Sequence, residues 1–96
     1  MIKKTYYKTK DYCKVKFTID LKNAKTVSIL GLNGDWQSPV KMKQKKDGSF
    51  SVEEKLKNGT VHEFKYLVNK TEWMNDPEAD GEKQNEFGGT NSVVNV

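Results

Sequence analysis

Phe64-Lys65-Tyr66-Leu67-Val68-Asn69-Lys70-Thr71-Glu72-Trp73-Met74-Asn75-Asp76-Pro77 reads as a strand, a tight turn and a short return strand. Phe64, Tyr66 and Val68 alternate with Lys65 and Leu67, the period of a half-buried strand. The first set is expected to face a core, which leaves Lys65 on the other face. The side taken by Trp73 depends on turn length, because paired hairpin residues point to the same face. A two-residue turn at Asn69-Lys70 pairs Tyr66 with Trp73 and buries the indole. A three-residue turn over Asn69 to Thr71 pairs Leu67 with Trp73 and sets the indole beside Lys65. Three-residue hairpin loops usually want an αL residue near their end, often Gly. None is present, so on turn chemistry alone both registers stay open.

Further strands lie on either side. Upstream, Cys13 to Asp20 alternates apolar and polar residues, a strand with one wet face. Thr26 to Leu32 is a second, with Val27 and Ile29 on one face and Leu30 on the other. Asn33-Gly34-Asp35 marks a turn with Trp36 directly after it. Pro39 to Met42 reads as an edge segment, since Pro cannot donate to a ladder. Asp47-Gly48 is the strongest hairpin signal in the chain. Ser49 to Leu56 follows with Phe50, Val52 and Leu56 in phase, and Asn58-Gly59 turns into the opening stretch. Downstream, Pro77 to Thr90 shows no periodicity and reads as a loop. Ser92 to Val96 reads as a closing strand. Residues 1–12, with Tyr6, Tyr7 and Tyr12, form either an edge strand or a loose extension. No window carries a helical stripe. Short strands punctuated by turns predict an all-β sandwich.

At 96 residues the default is a single domain spanning 1–96 with one modest core. The net charge of +4 raises nucleic acid or an acidic membrane as partners. All of that basic charge is lysine, however, and arginine is the residue that forks onto phosphates and guanine edges. Neither partner is therefore expected. Cys13 lies in phase with Val15 and Phe17 and reads as a small buried hydrophobe. The lysine-rich start has no apolar run of a signal peptide, so a cytoplasmic protein is expected. No cofactor motif is found. Asp76, Glu78, Asp80 and Gly81 mimic the start of a calcium loop, but Phe87 stands where the bidentate Glu belongs. Glu72 with Asp76 is the one carboxylate pair that could serve hydrolysis, and a chain this short shows no cleft for it. His62, in phase with Phe64, reads as a packing or turn-proximal residue and not a catalytic one.

Gly34-Asp35-Trp36, Phe64-Lys65-Tyr66, Glu72 to Pro77 and Phe87 to Val94 together resemble carbohydrate-binding module family 48, the isoamylase early-set domains. Its relatives include the glycogen-binding domain of the AMP-activated protein kinase β subunit. The resemblance covers about Cys13 to Val96 and implies an immunoglobulin-like early-set β-sandwich. It further implies non-catalytic binding of glycogen or another α-1,4-glucan, with a glycogen-metabolising enzyme or other protein as a further partner. On this resemblance Trp36 and Trp73 would stack on glucose rings, while Lys65 and Asn91 would bond the hydroxyl rim. Phe87 stands in place of the family's inserted leucine. The family's threonine position is Gly89 here, with Thr90 one step later. The spacing from Lys65 to Trp73 is one residue longer than in the kinase branch, so keeping the indole on the sugar face requires the three-residue turn. A Trp in a small β domain is most often core, and buried indoles would favour the alternative, a protein-interaction module that has lost sugar binding.

Overall fold

The computed structural model describes all 96 residues. Its strands, in chain order, are β1 (Ile2–Tyr6), β2 (Tyr12–Asp20), β3 (Val27–Leu30), β4 (Val40–Lys41), β5 (Lys43–Gln44), β6 (Ser49–Lys57), β7 (Val61–Val68), β8 (Glu72–Met74), β9 (Gly81–Gln84) and β10 (Thr90–Asn95). A short 3-10 turn at Leu32–Gly34 is the only helical piece. No helix is long and apolar enough to cross a membrane.

The alternation in β2 decides one sheet. Cys13, Val15, Phe17 and Ile19 are buried and point one way. β2 pairs with β6 along its whole length, Cys13 opposite Leu56 and Ile19 opposite Phe50. The order in this sheet is β1-β2-β6-β5. The second sheet runs β4-β3-β7-β10-β9, with β8 on the free part of β7. Phe64, Tyr66 and Val68 of β7 are buried as their phase predicts. All pairings are antiparallel. The two inner faces meet in one cluster, where Phe17 from the first sheet meets Phe64 edge-on at 5.2 Å between ring centroids. Phe64 in turn meets Tyr66 at 5.7 Å. Two stacked antiparallel sheets of this kind are the expected immunoglobulin-like β-sandwich.

Three segments depart from the sequence reading or resolve it. Residues 1–12 contribute β1, which pairs Ile2 with Phe17 and Tyr6 with Cys13. The expected loop over 77–90 contains β9, which pairs Lys83 with Asn91. β9 is an edge strand with mostly exposed side chains, so the ladder to β10 holds it and no apolar alternation marks it. The strand expected over Thr26 to Leu32 stops at Leu30, where Gly31 turns into the left-handed region. Between β4 and β5 the chain crosses from one sheet to the other. Met42 makes the crossing, its side chain buried and its N–H donated to the Val27 carbonyl at 2.9 Å.

Candidate carbohydrate site on the outer face of the second sheet

Leu67 pairs with Trp73, so the turn has three residues and the indole shares the outer face with Lys65. No glycine supplies the turn. Asn69 and Lys70 both adopt positive φ, 52° and 64°. Asn tolerates this region better than other non-glycine residues. Its side chain adds a tertiary anchor: Asn69 Oδ1 accepts from the N–H groups of Lys25 at 2.7 Å and Thr26 at 3.2 Å. Its own N–H donates to the Thr26 carbonyl at 2.8 Å. The turn is thus held from outside, by the entry to β3.

Trp36 is placed by a different device. The preceding turn is closed by Gly34 N–H to the Gly31 carbonyl and Gly31 N–H to the Asp35 carbonyl, each 2.9 Å. Asp35 Oδ1 then accepts from the N–H groups of Gln37 and Ser38 at 2.9 and 3.0 Å, pinning the chain around Trp36. Those two bonds hold the Asp35 carboxyl below the usual carboxylate range. Gly31 is the seat of the indole. It sits at φ 104°, and a Cβ there would lie 2.6 Å from Trp36 Cζ2. Only glycine allows both the backbone angle and the close approach.

His62 braces this turn from beneath. It is buried, and Nδ1 accepts from the Asn33 N–H at 3.1 Å. The Thr60 hydroxyl donates to the Lys57 carbonyl, so Nε2, 2.7 Å from Thr60 Oγ1, carries the proton. Burial pushes the His62 pKa below its ordinary value of 6.5. Protonating Nδ1 would also oppose two N–H groups. A depressed histidine pKa means that the unfolded chain binds the proton more readily. This contribution to stability is whole above about pH 6.5 and is lost as pH falls below it. Urea unfolding at pH 7.5 and 5.0 is expected to show lower stability at 5.0. In His62→Gln that pH-dependent component should shrink, and an unchanged pH slope would refute the assignment.

The polar floor comes from β7, β9 and β10. Lys65 Nζ donates to the Thr90 carbonyl at 3.0 Å. Asn91 is only 9% exposed. Its Nδ2 donates to Glu63 Oε1 and its Oδ1 accepts from Asn85 Nδ2, both at 3.1 Å. One N–H and one lone pair of the amide remain. Asn85 Oδ1 in turn accepts from the N–H groups of Phe87 and Gly89, shaping the loop that carries Phe87. Phe87 is 88% exposed.

The structure brings Trp36, Lys65, Trp73, Phe87 and Asn91 around one concavity of about 670 Å³, with Glu63, Asn85 and Glu86 completing the wall. That is within the size range of ligand sites. Trp36 is 38% and Trp73 49% exposed. Thr90 does not line the concavity. Its carbonyl holds Lys65, and both that carbonyl and its hydroxyl accept from Asn75 Nδ2. The sequence reading missed Glu63, Asn85 and Glu86. The strand phase shared by Glu63 and Lys65 was the one available signal for the first of them. Asp76, half of the conceivable carboxylate pair, lies buried and accepts from the Tyr66 hydroxyl and the Glu78 N–H.

A sandwich that gathers two exposed indoles and a phenyl ring over polar side chains on one sheet face has the form of a surface-binding module. Residues 13–96 match the family described as the glycogen recognition site of AMP-activated protein kinase, and the chain belongs to that family of carbohydrate-binding domains. Among solved structures the chain is similar to a protein from Salmonella typhimurium assigned as an alpha amylase, with a TM-score of 0.64 and 18% identity. That match covers 96% of this chain and 14% of the other, and it speaks for the fold alone. No curated protein sequence matches the chain.

Proposed function

We propose that residues 1–96 act as one non-catalytic module that binds glycogen or another α-1,4-glucan in the cytoplasm. The observation that carries this reading is the pair of exposed indoles, Trp36 and Trp73, set around one concavity with Lys65. A pyranose has an apolar face of C–H groups and a polar rim of hydroxyls. Each indole offers a flat apolar partner to the face. Lys65 donates to the rim, and the remaining N–H and lone pair of Asn91 serve it from the floor. Phe87 stands at the mouth as a third apolar contact, and Thr90 serves by holding Lys65. The exposure of both indoles supports sugar binding over the protein-interaction alternative, which buried indoles would have favoured.

Binding is expected to be weak. One ring face per indole contributes roughly 1.5–3 kcal/mol, polar contacts about 1 kcal/mol each, and association costs at least about 4 kcal/mol. The net corresponds to a Kd of roughly 10 μM to 1 mM for a short maltooligosaccharide. A neutral glucan releases no condensed counterions, so its affinity should hardly change with salt. Tryptophan fluorescence titration with maltoheptaose at two salt concentrations tests this. A silent sugar titration beside a strongly salt-dependent response to a single-stranded oligonucleotide would overturn the reading.

A further inference from the structure

The other outer face of the sandwich, that of β1-β2-β6-β5, is chemically unlike the indole face. Cys13, Val15 and Phe17 point inward, so their strand neighbours point out. Carried through the register, this places Lys3, Lys14, Lys16, Lys43, Lys55 and Lys57 on the outer face. Asp20 and Glu53 are the only carboxylates at the paired positions of that face. Six lysines against two acids leave a surplus of four, equal to the formal net charge of the whole chain, +4. The rest of the molecule is balanced. The excess charge therefore lies on the side of the sandwich away from the site for a neutral ligand.

The arrangement also works against the fold. Lys14 stands directly opposite Lys55, and Lys3 directly opposite Lys16. Like charges directly across a ladder destabilise a sheet. Within the face only Lys14 reaches a carboxylate, Glu53 at 3.5 Å. Lys55 rests over the Tyr12 ring at 5.1 Å. Two like-charge pairs on one sheet face break a local rule of sheet design, and such breaks are expected where a surface serves a partner.

We propose that this lysine face docks an acidic segment, rich in Asp and Glu, of a partner protein, while the opposite face remains free for glucan. Charge complementarity is the argument for an acidic partner. A polypeptide is favoured over nucleic acid because the chain has no arginine to fork onto phosphate or guanine edges. It is favoured over a bilayer because no Trp or Phe stands among the outward positions to enter the interface.

The test is fluorescence anisotropy with labelled deca-glutamate, alongside a thymidine decamer and phosphatidylserine vesicles. Wild-type protein should bind deca-glutamate at 50 mM salt and lose roughly ten-fold or more in affinity by 300 mM. The triple variant Lys14→Glu, Lys16→Glu, Lys55→Glu should bind roughly 100-fold more weakly. Lys25→Glu, Lys41→Glu, Lys70→Glu changes charge equally on the other sheet and its turns, and should stay near wild type. A triple Lys14→Gln, Lys16→Gln, Lys55→Gln variant removes the like-charge pairs and repeats the test should the reversals fail to fold. Saturating maltoheptaose should leave peptide binding unchanged. No peptide binding by wild type, peptide binding unaffected in the Gln triple, competition by maltoheptaose, or tighter binding of the oligonucleotide or vesicles would each overturn the proposal.

Discussion

Trp73→Ala is expected to weaken maltoheptaose binding roughly 10- to 100-fold while leaving the melting temperature within a few degrees of wild type. The indole is 49% exposed and stands on β8, outside the central cluster. Its removal deletes an apolar plate of roughly 1.5–3 kcal/mol from the bound state. It opens no cavity in the free protein. Trp36→Ala should weaken binding to a similar degree and also lower stability, because that ring packs over the Gly31 backbone. The two variants therefore separate: both lose binding, and only one loses stability. Isothermal titration calorimetry and thermal unfolding read the two effects. Binding of Trp73→Ala within two-fold of wild type would remove the indole from the site.

Asp76→Ala should carry the largest stability effect of a single polar substitution here. Asp76 and Tyr66 are buried, and the Tyr66 hydroxyl donates to Asp76 Oδ2 at 2.7 Å. Asp76 Oδ1 accepts from the Glu78 N–H at 2.8 Å. Alanine leaves a buried hydroxyl without its acceptor, a cost of about 1–3 kcal/mol, and frees the turn at Glu78 for about 1 kcal/mol more. For a chain of this length the sum lowers the melting temperature by roughly 10–25 °C. Asp76→Asn keeps an acceptor in place and should lose far less. Equal losses for Ala and Asn would show that the hydrogen bonds are not the cause. Burial, reinforced by the bond to Asp76 and its charge, pushes the Tyr66 phenol far above its ordinary range. That raised value favours the fold at all pH below about 10, and the contribution declines above it as the unfolded phenol ionises.

The same residue links the core to the site. The Asp76 N–H donates to Ser92 Oγ at 2.8 Å, and Ser92 Oγ donates to Asn75 Oδ1 at 3.0 Å. Asn75 Nδ2 then reaches the Thr90 carbonyl that also holds Lys65. This chain of bonds fastens the end of β8, and with it Trp73, to β10. The Glu72 to Pro77 motif was legible as a family mark. That Asn75 and Asp76 join the core hydroxyl of Tyr66 to the indole face was not, because the joining residues come from β7, from β10 and from the segment just past β8.

What the sequence determined by itself is what depends on near neighbours. Alternation in Cys13 to Ile19 and Phe64 to Val68 chose strands and their buried faces, since side-chain direction repeats every two residues whatever the partner strand. Asp47-Gly48 and Asn58-Gly59 chose turns, with both glycines at positive φ. The tertiary structure alone decided whatever depends on contacts that side-chain alternation does not register, whether near or far in the chain. The turn that exposes Trp73 is held by N–H groups at Lys25 and Thr26, more than forty positions away. β9 exists because β10 offers it a ladder, and a polar edge strand leaves no hydrophobic signature. Asn91 is half-spent on Glu63 and Asn85, which the strand order brings beside it. Gly31 reads as an ordinary glycine until the Trp36 ring lies on it. Local periodicity cannot encode such contacts, because each costs chain entropy that only the assembled sandwich offsets.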